Sequence, residues 1–149
     1  MGTRSGIGIQ NADGSVTAIY CHWDGYPSHN GRILQDHYAD EAKVRKLIAL
    51  GDISSLREEI GERHPFDTYH LKQEELDPRW ENWTTAYQRD RGETGCAANN
   101  YVSPADYFGR FSGGAEYFYL FVDGVWQVQP TYGKSTWLPV ANYLEKEPA

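Results

Sequence analysis

The chain has 149 residues, a formal net charge of −7 and 23% charged residues. That length suits one domain whose core needs no disulfide or metal staple, and a hydrophobic content of 40% excludes global disorder. The acidic balance disfavours nucleic acid as a partner, because phosphate-backbone binding needs a basic face. The 21 acidic residues are scattered, as on an ordinary acidic cytoplasmic protein or on a surface aimed at a basic partner. Aromatic residues reach 14%, with 11 Tyr and 5 Trp, so a bulky core, an adhesive surface or both are expected.

Residues Met1 to Ser5 carry no apolar signal run and no stretch reaches membrane-spanning length, so a cytoplasmic protein without membrane association is expected. Cys21 and Cys96 then read as reduced thiols. Residues 4–23 predict a β-hairpin: Ile7 and Ile9 alternate with Gly6 and Gly8, residues 11–15 make the turn, and Val16 to Trp23 return. The paired glycines leave one face of the first strand bare for a close neighbour.

Three short helices are predicted next. One covers about 30–39. A second runs from Asp40 through Val44, Leu47 and Ile48 to Gly51, and a third from Asp52 through Ile53, Leu56 and Ile60 to Gly61. Residues 62–82 read as a polar connection broken at His64-Pro65 and Asp77-Pro78, with a short helical piece near 71–76. Long connections of this kind are often functional.

Trp83 to Arg89 predict a strand. Ser103-Pro104-Ala105-Asp106 predicts a capped helix over 104–111. Glu116 to Val122, Asp123-Gly124 and Val125 to Gln129 predict a tight hairpin. Its register sets Phe121 opposite Trp126 and Tyr119 opposite Val128, and its apolar first strand belongs in the sheet centre. Thr136 is expected to cap a final helix with Val140, Tyr143 and Leu144 inward. The expected fold is a single α+β domain over 1–149, an antiparallel sheet with helices packed against it.

The segment Tyr20-Cys21-His22-Trp23-Asp24-Gly25-Tyr26-Pro27 stands out. Strand alternation sets Cys21 and Trp23 on the core face, and Tyr20, His22 and Asp24 on the other. Cys21 and His22 therefore point apart and form no nucleophile–base pair. His22 and Asp24 share a face, an arrangement that serves either general-base catalysis or a structural polar pair. Tyr26 tips a rigid turn suited to recognition.

His22, His29, His37 and Cys21 match no ligand-box spacing, so neither a metal nor another cofactor is implied. Arg89-Asp90-Arg91-Gly92-Glu93 reads either as an anion clamp or as a self-neutralising strand end. The candidate binding residues are thus Tyr20, His22, Asp24, Tyr26, Arg89, Arg91 and Glu93.

Thr3-Arg4-Ser5, Asp13-Gly14-Ser15, the string from Tyr20 to Pro27, Leu47 to Asp52 and Tyr87 to Glu93 together resemble a group of small proteins encoded by bacteriophages and other mobile elements. The resemblance implies an accessory gene product that binds a host protein, such as an inhibitor of host defence, and implies no catalytic residues. Two alternatives stand beside it. One is a nucleotide or other anionic small-molecule site, or a small hydrolase, built on His22 and Asp24 with Arg89 and Arg91. The other is a structural interaction protein of virion assembly.

Overall fold

The computed structural model describes residues 3–111, 114–131 and 136–146. Its strands are β1 (Ser5–Gln10), β2 (Val16–Cys21), β3 (Ile53–Ser55), β4 (Thr85–Ala86), β5 (Asn99–Tyr101), β6 (Tyr117–Val122), β7 (Val125–Pro130) and β8 (Leu138–Pro139). They form one sheet in the order β4-β3-β2-β1-β6-β7-β8, with β5 also paired to β2. The helices are α1 (Arg32–His37), α2 (Glu41–Ala49), α3 (Tyr87–Arg91), α4 (Pro104–Arg110) and α5 (Val140–Lys146).

The α+β class and the two long hairpins agree with the sequence, but the sheet is mixed rather than antiparallel. β1 runs antiparallel to β2 and parallel to β6, and β2 runs parallel to β3. A hairpin constrains only the partner that follows it, and both parallel neighbours arrive through long crossovers. β6 is central, as its two apolar faces require, and Phe121 lies opposite Trp126 and Tyr119 opposite Val128.

Alternation along these strands divides the core between two faces. On one, Ile7, Ile19, Tyr119 and Val128 meet Leu34 of α1, Val44, Leu47 and Ile48 of α2, and Val140 of α5. On the other, Val16, Ala18, Phe118 and Leu120 meet Tyr101 and Tyr107. Tyr107, on α4, fills the bare face at Gly6, where a β-carbon would stand 2.5 Å from its hydroxyl, and Val16 and Ala18 crowd Gly8. The Tyr107 hydroxyl donates to the Tyr119 carbonyl at 3.1 Å.

Three expectations are corrected. Residues 52–60 are not a helix: Ile53 to Ser55 form β3, and Glu59 bridges Trp83. Their 3- and 4-residue apolar spacing mimics a helix, but the carbonyls of Ile53 and Ser54 accept the amides of His22 and Trp23, and the Asp52 carboxylate accepts the Tyr20 amide at 3.0 Å. Strand pairing that continues β2 outweighs local spacing. Residues 83–89 are strand only at β4, because the chain turns into α3 at Tyr87. There the Asp90 carboxylate accepts the Ala86 amide at 2.8 Å and closes the first turn. Finally, α5 begins at Val140 with β8 ahead of it, so Thr136 is not its cap.

The remaining elements follow their local signals. α2 stops before Gly51, which takes φ 79, and Ser103 caps α4 by accepting the Asp106 amide. The connection of 62–82 holds two short 3₁₀ turns, Gln73–Glu75 and Pro78–Asn82.

Gly6→Ala should lower stability by about 1–3 kcal/mol, the usual cost of overpacking. Chemical denaturation would measure it. Placing the same alanine in a Tyr107→Phe background should cost less, because the clashing oxygen is gone.

Candidate functional site

The string from Tyr20 to Pro27 is held by a buried side chain outside it. Regular strand ends at Cys21, and Asp24 turns the chain at φ 56, a conformation Asp adopts more readily than most residues. Pro27–Gly31 then form a π-helical turn that runs directly into α1.

Asn30, fully buried in that turn, points its amide nitrogen at the Trp23 carbonyl, the Ser5 hydroxyl and the Cys21 sulfur, each at 3.3 Å. A carbonyl only accepts, so this atom is the NH₂, and the amide oxygen accepts from His29 Nδ1 at 3.0 Å. His29 Nε2 is then an acceptor facing the Arg57 guanidinium at 3.5 Å, with an Asp24 oxygen 4.0 Å away. Gly25 completes the joint: a β-carbon there would stand 2.8 Å from the Thr3 carbonyl, and the Gly25 carbonyl accepts the buried Tyr119 hydroxyl.

This joint corrects the expected face assignment. Trp23 is 44% exposed, not in the core, because the regular strand ends at Cys21, ahead of it. Cys21 is fully buried, as expected, and burial pushes its thiol up to about 11. Tyr20 and His22 do share a face, and the phenol lies 2.8 Å from His22 Nδ1. Asp24 belongs to another cluster, facing His29 and accepting the Tyr26 hydroxyl at 3.3 Å.

The charged segment divides in the same way. Arg89 lies inside, donating to the carbonyls of Ile60, Gly61 and Thr84 and pairing with Asp90. Arg91 and Glu93 pair on the surface at 2.6 Å, with Arg91 lying over the rings of Phe66 and Tyr87. Among the described residues, no hydrogen bond or ion pair joins His22 or Asp24 to Arg89, Arg91 or Glu93. No group of three or more His, Cys, Asp or Glu is placed to hold a metal there, and no described helix is long and apolar enough to cross a membrane.

A cavity of about 430 Å³ opens where the 62–82 connection folds over β3 and β4. Arg57, His64, Phe66, Trp80, Trp83 and Thr85 are among the residues that line it. Its wall is built on Asp90, whose buried carboxylate accepts the amides of His64 and Ala86 and the Arg89 guanidinium. His64, also buried, stacks on Trp80 at an interplanar angle of 26° and meets the edge of Trp83. Arg57 brings a guanidinium with no carboxylate partner among the described residues, and it lies 3.5 Å from His29 Nε2. The string at 20–27 and the cavity are thus joined through Asp24, His29 and Arg57.

None of the cavity residues had been singled out as a binding residue from sequence. The signals present were the long connection itself, its two Pro breaks and its paired tryptophans. Comparison with protein-family models, curated proteins and solved structures gives no match.

Two outcomes test this description. Arg89→Ala should cost about 3–5 kcal/mol of stability by leaving Asp90 buried without its countercharge, which a urea melt would show. In the native protein a colourless disulfide reagent should titrate one thiol promptly, Cys96, and the second only after guanidinium unfolding.

Proposed function

We propose that the protein is a binding module whose ligand is a small aromatic molecule carrying an anionic group, held in the cavity over β3 and β4. The observation that carries this reading is the pairing, in one cavity of about 430 Å³, of stacked ring walls with a guanidinium that has no carboxylate partner among the described residues. That volume falls within the range of small-molecule sites, which join apolar walls to a few placed polar groups. Trp80 offers a ring to a planar group, Trp83 lies beside it under the Arg79 guanidinium, and Arg57 offers the fork that anions favour. Asp67, Asp77 and Glu81 also line the cavity; Arg79 takes up the Asp77 carboxylate at 2.6 Å and His70 lies 3.2 Å from that of Asp67, which offsets part of their repulsion of an anion.

The reading keeps the ligand class weighed from sequence, a nucleotide or other anionic small molecule, and moves its site from His22, Asp24, Arg89 and Arg91 to Arg57, His64, Trp80 and Trp83. A panel of nucleotides and aromatic carboxylates, followed by thermal shift and tryptophan fluorescence, tests it. At least one should bind, and Arg57→Ala and Trp80→Ala should each weaken it about tenfold to a hundredfold, while His22→Ala should not. No binding across the panel at millimolar concentration, or equal binding by all variants, would overturn it.

One observation favours a second reading, the host-protein partner implied by the mobile-element resemblance. Trp23 and Tyr26 are 44% and 38% exposed on a loop bolted to the core, and rigid exposed aromatics are common interface anchors. A partner retained from host extract by the wild type and lost with Trp23→Ala and Tyr26→Ala would support it.

A further inference from the structure

We infer that Thr85 is a nucleophile activated by His64, and that the cavity hydrolyses small carboxylic esters. The inference rests on the cavity reading above and adds a reaction to it.

The chemistry follows from the His64 ring. Nδ1 lies 2.8 Å from the Glu62 carbonyl, and a carbonyl only accepts, so Nδ1 carries the proton. In the neutral ring Nε2 is then the lone-pair nitrogen, to which the Thr85 hydroxyl, 3.2 Å away, donates. Behind the ring, an Asp90 oxygen stands 3.6 Å from Nδ1, facing the positive charge the imidazole gains when it takes a proton.

Hydroxyl, base and orienting groups are thus in the sequence that acyl-transfer catalysis needs. The ring is fixed on every side: its side chain is 4% exposed, Trp80 stacks on it, and the Asp90 carboxylate holds the His64 amide at 3.1 Å.

The start of β4 supplies the access. Thr84, just ahead of β4, and Thr85, its first residue, differ in burial. Thr84 is buried, where its hydroxyl meets the Tyr38 hydroxyl and accepts the Arg57 amide at 3.0 Å. Thr85 lines the cavity, across from Ser55 in the β3–β4 pair. Arg57, tied by its amide to the residue beside Thr85 and lining the same cavity, is the cation for the developing oxyanion.

In the reaction the Thr85 hydroxyl proton passes to His64 Nε2 as the Oγ–C bond forms at the ester carbonyl. The C–O bond to the leaving alcohol then breaks, and that alcohol takes the proton from Nε2. Water next attacks the acyl-threonine, giving its proton to Nε2. The acid leaves as the Thr85 oxygen recovers a proton, so one ester and one water yield one acid and one alcohol.

The test uses p-nitrophenyl acetate on the full chain, with release of p-nitrophenolate followed by absorbance and the acid-quenched protein by peptide mass. Wild type should show a burst and one acetyl group on the peptide containing Thr85. Thr85→Val, which keeps the side-chain shape, should lower the burst rate roughly 100- to 10,000-fold, and Thr85→Ser should restore it. His64→Gln should match Thr85→Val; since His64 is buried, its fold is checked by far-ultraviolet circular dichroism, and Thr85→Val decides the matter if that variant unfolds. Quenching of tryptophan fluorescence by 4-nitrobenzoate reads the cavity separately. Acetylation confined to lysines or the amino terminus, or an unchanged burst in Thr85→Val, overturns the nucleophile. If quenching persists in that case the binding reading stands alone, and if quenching is also absent both fail.

Discussion

The side-chain amide of Asn30 is buried among atoms drawn from three separate pieces of chain, and its two N–H groups are shared among three acceptors. Its NH₂ faces Ser5 on β1, Cys21 at the end of β2 and the carbonyl of Trp23, while its oxygen accepts a hydrogen bond from His29 Nδ1. Buried polar groups without partners are costly, and among the described residues no buried side-chain nitrogen or oxygen lacks one. The unusual string from Tyr20 to Pro27 follows from that constraint. A strand must end, reverse at Asp24, pass Gly25 under the first strand and enter a π-helical turn so that one amide can reach every group. Its chemistry is largely that of a joint, and the joint presents Trp23, Tyr26 and His29 outward in fixed positions.

A second buried group does comparable work for the cavity. Asp90 gathers the amides of His64 and Ala86 and the guanidinium of Arg89, so the long connection, β4 and α3 are locked to one carboxylate. Arg89 in turn ties down the carbonyls of Ile60 and Gly61. A polar connection without much apolar material of its own gains a rigid wall in this way, and the rings of His64, Trp80 and Trp83 are set against it. The two clusters meet where His29 approaches Arg57.

The two hairpins, helices α2 and α4 and the burial of Cys21 were legible in the sequence because each is specified by a few neighbouring residues. Turn chemistry at residues 11–15 and 123–124, the Ser103 cap and the spacing of Val44, Leu47 and Ile48 carry their own outcome. The segment after Asp52 was not legible, since Ile53, Leu56 and Ile60 fit a helical stripe and only pairing to the end of β2 makes them extended. The same is true of the candidate site. Arg57, His64, Trp80 and Thr85 come from four segments without shared spacing, and the sheet and Asp90 bring them together. Tyr20 and His22 were correctly set on one face, but extending alternation past Cys21 placed Trp23 inside and Asp24 beside His22. The regular strand ends at Cys21, and the positive φ of Asp24 then turns the chain away.

The parallel pairing of β1 with β6 has a consequence for how the molecule is made. Ser5 lies opposite Tyr117 and Ile9 opposite Phe121, so β1 waits for a strand made much later before its second edge is covered. Such distant pairing makes folding slow, because a long loop must close before the contact forms. A nascent chain stalled before Tyr117 exposes an open, glycine-bearing strand edge in what becomes the middle of the sheet, the kind of edge that recruits other chains.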